Sequence, residues 1–151
     1  MIIRKASRVD AEILTQNRTA FVSDSIGRPV DDVFIERIRA YFTAHLEDGS
    51  LLCYLAEDDK KLVAACVLCV YRVIPRPTCP HGVLGLLVNV NTQKEYRRQG
   101  IAKEMLTALF AEAKRMGVEQ IELDYTEDGF PLYQSLGFKK LEHQMALSLL
   151  L

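Results

Sequence analysis

The sequence lacks most of the features that would assign a function at a glance. It has no tryptophan, only 3 histidines and 4 cysteines in 151 residues, and a net charge of -1 from 19 basic and 20 acidic side chains. Such a charge excludes the broad cationic surface of a general nucleic-acid binder. The longest apolar stretch, residues 62–71, is too short to span a bilayer. Because no apolar run follows the first basic residues, we predict a cytoplasmic protein.

The few cysteines favour packing over chemistry. In the absence of a secretion signal, the four thiols are expected to be reduced. Cys66 and Cys69 are separated by an odd number of positions on a predicted strand, so their side chains should lie on opposite faces of the sheet. Cys79 and His81 lack two further ligands at a recognisable spacing, which argues against structural zinc. We therefore predict no metal site.

The remaining composition is that of one soluble domain covering residues 1–151. Apolar residues make up 49% and charged residues 26% of the chain. A capping-box pattern at Ser7 and Asp10 predicts a helix that ends before Gly27, and Asp31 predicts the start of a second helix that Gly49 stops. Helical spacing predicts two further helices over 101–116 and 130–136. Alternation and β-branched content predict strands over 2–6, 51–56, 62–73, 83–92, 118–125 and 141–150.

The most informative segment, residues 88–102, runs from a strand through a basic turn into the third helix. The first turn of a helix presents unpaired N–H groups and partial positive charge, and Gly100 lets the backbone approach an anion. Arg97, Arg98 and Lys103 add formal charge that suits phosphate oxygens. These residues predict a diphosphate site, although the same pattern also fits an ordinary solvated turn. Neither a Walker loop nor a dinucleotide fingerprint is present.

Two motifs resemble those of one enzyme family. The pattern Arg97-x-x-Gly100-x-Ala102, between a strand and a helix, resembles the acyl-CoA pyrophosphate loop of the GNAT superfamily of N-acetyltransferases. The second motif, within residues 126–138, resembles the closing element of that family, which is a short helix with a tyrosine followed by Gly-Phe. The order of predicted elements agrees with the family over nearly the whole chain.

The resemblance implies an α+β fold of three layers. Its central mixed sheet would have helices on both faces and would splay between the strand that ends near Thr92 and the strand that ends near Tyr125. Acetyl-CoA, the implied cosubstrate, would lie in that gap. The resemblance implies no metal.

The resemblance also implies roles for individual residues. Pantetheine and the acetyl carbonyl would be bound by backbone groups of Val90, Asn91 and Thr92. The pyrophosphate turn would comprise the leading Arg97 together with Arg98, Gln99, Gly100, Ile101, Ala102 and Lys103. Thr126 falls where many relatives have an asparagine that reaches the cofactor, and a hydroxyl reaches less far than a carboxamide.

The implied reaction is direct attack of a primary amine, of a small molecule or a polypeptide, on the acetyl-CoA thioester. Tyr133 would protonate the departing sulfur, although a helix tyrosine can also simply pack its ring and leave its hydroxyl in water. Glu122, Asp124 and His81 are possible proton acceptors, and none is assigned as the base. Acidic residues at Asp31, Asp32, Glu122 and Asp124 would suit a cationic acceptor. The alternative function is a non-catalytic acyl-CoA sensor of the same fold.

The C-terminal region is shorter than the resemblance would require. Only 14 residues follow Gly137, so we expect the final hairpin to be reduced or replaced by one strand. An exposed apolar strand over 145–151 would be an association hazard unless it is covered. We therefore predict a homodimer.

Overall fold

The computed structural model describes residues 1–150, which form a five-stranded sheet and four α-helices. The elements are β1 (Ile2–Lys5), α1 (Ala11–Ile26), α2 (Asp32–His45), β2 (Leu51–Asp58), β3 (Lys61–Arg72), β4 (Val83–Thr92), α3 (Ile101–Arg115), β5 (Gln120–Glu122) and α4 (Phe130–Ser135). The strands lie in sequence order, and all neighbours are antiparallel except β4 and β5, which are parallel. Short 3₁₀ turns precede α1 and follow β4.

Two apolar layers enclose the sheet and confirm the predicted α+β fold of three layers. On one face, Met105 and Leu109 of α3 pack against Leu68 of β3 and other buried strand residues. On the opposite face, Leu14 of α1 and Phe42 of α2 pack against residues of β2 and β3. Cys66 and Cys69 lie on opposite faces of the sheet, as the odd spacing predicts. Cys66 packs on the face covered by α3, and Cys69 packs on the other face.

The hairpin between β2 and β3 is tighter than the five-residue turn predicted over 57–61. Asp59 and Lys60 alone form the loop, with φ of 47° and 64°. Two consecutive left-handed residues give the turn whose twist matches that of the flanking strands. The ladder therefore extends to the pair Asp58 and Lys61.

The sheet opens between its two parallel strands. Leu84, Gly85 and Leu86 of β4 pair with Gln120, Ile121 and Glu122 of β5, and no further pairs follow. From 87 to 92, β4 continues without β5 beside it. The predicted splay is thus present, while the predicted strand over 118–125 is confined to the three residues that have ladder partners.

The predicted strand over 141–150 does not form, and that prediction is wrong. Residues 141–150 have no regular secondary structure, and Leu141, Met145, Leu147, Leu149 and Leu150 are exposed. A strand needs a neighbour to satisfy its backbone groups, and within residues 1–150 the tail pairs with no other strand. Residue 151, the end of the predicted apolar edge, lies outside the described residues. Among residues 1–150, no helix has both the length and the apolarity to cross a membrane.

Candidate active site

A cleft of about 1450 Å³ begins where the sheet opens. Its walls are the end of β4, the turn into α3, the polar side of α1 and the start of α4. All of the predicted site residues except Gln99 line this one cavity, namely Val90, Asn91, Thr92, Arg97, Arg98, Gly100, Ile101, Ala102, Lys103, Thr126 and Tyr133. The fold therefore brings together two motifs that lie about 30 residues apart in the chain.

The turn into α3 owes its shape to two left-handed residues. Arg98 has φ of 60° and Gly100 has φ of 79°. The first intrahelical hydrogen bond runs from the Glu104 N–H to the Gly100 carbonyl at 3.0 Å, so the N–H groups of residues 101–103 precede the helical ladder. A Cβ on Gly100 would meet nothing within 4 Å. In the protein itself, backbone conformation and not crowding therefore favours glycine at this position.

Side chains hold this turn in place. Arg97 Nε donates to the Thr92 carbonyl at 3.0 Å, which ties the turn to the end of β4. Gln99 Nε2 donates to the Glu95 carbonyl at 3.1 Å, so this side chain closes the turn and does not line the cleft. The Tyr96 hydroxyl donates to Asp58 Oδ2 at 3.0 Å and fixes the turn to the β2–β3 hairpin. The helix N-terminus is consequently preorganised.

The cleft carries a cluster of cations around that helix N-terminus. Five basic side chains line it, which are Lys61, Lys94, Arg97, Arg98 and Lys103. None of them takes part in an ion pair within residues 1–150. Cations without an ion-pair partner, next to free N–H groups and the positive end of a helix dipole, attract an anion of more than one charge.

Tyr133 lies on α4 at the other wall of the cleft. Its ring packs edge-on against Phe138 with 5.8 Å between centroids. Burial, followed by the nearby Cys66, raises the pKa of the Tyr133 hydroxyl above its ordinary value, so the group stays protonated at neutral pH. A Cβ on Gly129 would come within 3.0 Å of Tyr133 Cε2, so glycine at 129 leaves room for this ring. The Gly129 N–H donates to Thr126 Oγ1 at 3.2 Å.

The predicted proton acceptors lie elsewhere. Glu122 and Asp124 line a second groove, of about 1090 Å³, between β5 and α4. His81 is held by Glu119, which accepts its backbone N–H at 2.7 Å and lies 3.3 Å from its Nδ1. The loop over 74–82, between β3 and β4, does not line the cleft. Asp31 instead caps α2 by accepting the Phe34 N–H at 2.8 Å.

Sequence reasoning missed the contribution of α1 to the cleft. Ile13, Asn17 and Phe21 line it at helical spacing, and Asn17 hydrogen-bonds to β4. Carboxylates at Asp24, Glu95 and Asp128 also lie on its walls. The periodicity of α1 does indicate which positions share a face, but no motif indicates that this face meets β4.

Comparison with known families shows the family to which the chain belongs. The model of the acetyltransferase (GNAT) domain matches residues 49–140, which is more than half of the chain. The chain belongs to the GNAT acetyltransferase family. The match contains β4, the turn into α3 and α4, and so includes every element of the cleft except α1.

Individual relatives agree with this GNAT assignment. A glucosamine 6-phosphate N-acetyltransferase of Trypanosoma brucei brucei is 31% identical over 75 residues, which is 50% of this chain and 51% of the relative. The match thus spans about half the length of that curated protein. The crystal structure of a predicted acetyltransferase with acetyl-CoA from Clostridium acetobutylicum aligns with a TM-score of 0.89 and 28% identity, over 98% of this chain and 96% of that one.

A further structure supports the fold alone. The GCN5-related N-acetyltransferase from Ralstonia eutropha JMP134 aligns with a TM-score of 0.81 and 24% identity, over 97% of each chain. The GNAT fold thus extends over the described chain, including α1 and α2, which lie outside the family match. Within residues 1–150, no group of three or more His, Cys, Asp or Glu side chains is arranged to hold a metal ion.

Proposed function

We propose that this GNAT protein transfers an acetyl group from acetyl-CoA to a primary amine of a small molecule or polypeptide. One observation carries the proposal: a preorganised helix N-terminus and five unpaired cations share a cleft with the open end of β4. The residues fit the coenzyme, because the N–H groups of α3 and the guanidinium groups of Arg97 and Arg98 match the oxygens of a diphosphate.

The pyrophosphate turn would hold the coenzyme through its backbone. The N–H groups of Ile101, Ala102 and Lys103, which precede the helical ladder, would donate to the phosphate oxygens, while Gly100 provides the left-handed conformation. Gln99 contributes by closing the turn through Glu95. Thr126 Oγ1 already accepts the Gly129 N–H, so its own hydrogen is left to donate to the coenzyme.

The open end of β4 would hold the pantetheine arm and the acetyl carbonyl. Backbone groups of Val90, Asn91 and Thr92 lie beyond the last pair with β5, so their outward polar groups have no strand partner on that side. A backbone N–H aimed at the thioester oxygen stabilises the charge that develops there in the tetrahedral intermediate.

The proton balance assigns a role to Tyr133. A lysine-like ammonium has a pKa of about 10.4, so forming the free amine at pH 7 costs about 4 to 5 kcal/mol. The amine nitrogen then bonds to the carbonyl carbon and releases a proton to water, the carbon–sulfur bond breaks, and the sulfur takes a proton from a donor that water reprotonates. Tyr133 is the donor that the cleft offers on the side of α4, and its raised pKa keeps the proton in place until the thiolate forms.

The acceptor carries an amine, and the carboxylates of the cleft suit its ammonium form. Three carboxylates that were not predicted from the sequence line the cleft, namely Asp24, Glu95 and Asp128. Their negative charge would attract an ammonium group. The similar trypanosomal protein is a glucosamine 6-phosphate N-acetyltransferase, which makes a small amine a reasonable first choice of substrate. No step requires a metal. The cytoplasmic location stays a prediction, and it is consistent with four free cysteines.

The protein acts as a homodimer in this proposal. One edge of β5 pairs with β4, and within residues 1–150 its other edge has no strand partner. The tail beyond Leu141 exposes Met145, Leu147 and Leu149, each at least 85% accessible. A second copy of the tail has the apolar alternation needed to cover such an edge. Light scattering at micromolar concentration should give a dimer for the wild type and a monomer for Leu147→Glu. A wild-type monomer would contradict this.

Two measurements on the purified protein test the proposed activity. Titration calorimetry should detect one coenzyme A bound per chain, and a thiol-release assay with acetyl-CoA should respond to members of a panel of primary amines that includes glucosamine 6-phosphate. Binding without release for any amine would identify a non-catalytic acyl-CoA-binding protein. An absence of binding by the folded protein would refute both functions.

A further inference from the structure

The strand β4 carries a bulge at the place where the proposed acyl site begins. Ala65 pairs with Asn91 and Val67 pairs with Val88, so one residue of β3 faces two residues of β4, at positions 89 and 90. Such an insertion breaks the regular ladder and leaves a backbone group unpaired. Asn89 has φ of 57°, a left-handed conformation that asparagine tolerates better than most residues.

A single side chain from another element holds both sides of this bulge. Asn17 Oδ1 accepts from Asn89 Nδ2 at 2.9 Å and from Asn91 Nδ2 at 2.8 Å. Asn17 Nδ2 donates in return to Asn91 Oδ1 at 3.0 Å. Val90, which lines the cleft, therefore lies between two residues that α1 fixes.

The contact is costly to remove, because Asn89 has few other partners. The residue is only 3% exposed, and its Oδ1 is buried without any hydrogen bond within residues 1–150. Without Asn17, both polar atoms of the Asn89 amide would be left unsatisfied. The bulge would then rotate to find partners, and the direction of the Val90 peptide would change with it.

We propose that Asn17 is a positioning residue for acyl transfer. It fixes the β4 bulge so that the unpaired backbone N–H of the bulge faces the thioester carbonyl. This inference rests on the proposed acetyltransferase activity and adds to it a residue of α1, outside both motifs. Asn17 acts through Asn89 and Asn91 and not by touching the diphosphate, whose cations and helix N-terminus lie on the turn into α3.

The role predicts a particular split between binding and turnover. Asn17→Ala should lower kcat by about 10- to 100-fold, which is less than the loss of an entire oxyanion donor because the N–H remains but is misdirected. The affinity for coenzyme A, which lacks the acetyl carbonyl, should be unchanged. Any preference of the wild type for acetyl-CoA over coenzyme A should disappear. Ser23→Ala, on the same helix and away from the cleft lining, is the matched control and should behave as the wild type.

A double-mutant cycle and a milder variant keep the test decisive. If Asn17 acts through the bulge, Asn17→Ala combined with Asn91→Ala should lose little more activity than either change alone. Should Asn17→Ala fail to fold, Asn17→Asp decides, because it keeps the oxygen that accepts from Asn89 but loses the donor to Asn91. It should fold, bind coenzyme A normally and show a reduced kcat.

The possible results distinguish a failure of the positioning role from a failure of the proposed acetyltransferase activity. Equal losses of affinity for coenzyme A and acetyl-CoA, or a normal kcat in a folded Asn17 variant, would overturn the positioning role and leave the proposed function standing. A wild type that neither binds coenzyme A nor releases thiol would overturn both.

Discussion

Replacing Gly100 by alanine isolates the backbone contribution to coenzyme binding. Gly100 has φ of 79°, and an added Cβ would meet nothing within 4 Å, so a methyl group introduces strain but no collision in the free protein. A left-handed conformation costs an ordinary L residue about 1 to 2 kcal/mol. If the turn keeps its shape, that cost lowers the free energy of unfolding. If the turn instead relaxes in the free protein, the left-handed conformation must be restored when coenzyme A binds. The affinity for coenzyme A then falls by about 5- to 30-fold.

Two control variants distinguish these contributions. Gly100→Asn should be milder than Gly100→Ala, because asparagine adopts left-handed backbone more readily. Gly117, at the other end of α3, has φ of 88° and equally open space. Gly117→Ala should therefore cost stability without changing affinity. Calorimetric titration and thermal unfolding of all four proteins give both quantities. A Gly100→Ala variant that changes neither quantity, or an asparagine as harmful as alanine at position 100, would contradict a role for the left-handed backbone at this position.

Three further changes test other parts of the structure. Tyr133→Phe should leave coenzyme A affinity intact and lower kcat by about 10- to 100-fold, since thiolate is a fair leaving group; unchanged turnover would remove Tyr133 from its role. Gly129→Ala should shift the Tyr133 ring by a few tenths of an ångström, because its Cε2 would lie 3.0 Å from the new Cβ, and should slow turnover by less than Tyr133→Phe does; a normal kcat would show that ring placement is not critical. Arg4 hydrogen bonds of 2.8 and 3.0 Å lower the pKa of the buried Asp10 carboxyl below its ordinary value. The stabilisation that the ionised Asp10 carboxyl gives the folded protein should therefore be complete above about pH 5 and be lost as pH falls through the lowered pKa. Asp10→Asn should destabilise the fold by about 1 to 3 kcal/mol at pH 7 and flatten that acid dependence; chemical denaturation that shows equal acid sensitivity in both proteins would contradict this.

The turn into α3 and most of the fold follow from local sequence signals. The amphipathic stripe of α3 places Met105 and Leu109 in the core, and Gly117 ends the helix region as expected. The positions of Gly100 and Arg97 beside the cleft could be predicted because a strand, a turn and a helix N-terminus are consecutive in the chain. The bounds predicted for β4, 83–92, agree with those in the structure.

Features that depend on distant contacts could not be predicted. The strand β5 is short because only three of its residues meet β4, and the tail beyond Leu141 pairs with nothing in residues 1–150 despite its apolar alternation. Asn17 gives no signal of its own, since its role arises from a bulge 72 positions away. Glu122 and Asp124 both line the second groove and not the cleft, because β5 ends at Glu122 on the far side of the opening from α1 and the turn into α3.

If the turn into α3 binds a diphosphate, the protein should bind coenzyme A much more tightly than pantetheine. Titration calorimetry of both compounds at low ionic strength tests this directly. Pantetheine keeps the thiol arm but has neither the phosphates nor the adenosine, and pantetheine 4′-phosphate, which restores one phosphate without adenosine, should regain part of the affinity. We predict that coenzyme A binds and that pantetheine binds at least about 100-fold more weakly, because two charge-assisted hydrogen bonds of about 1.5 kcal/mol each are lost. Equal affinity for the two compounds, or no uptake of coenzyme A by the folded protein, would contradict the account.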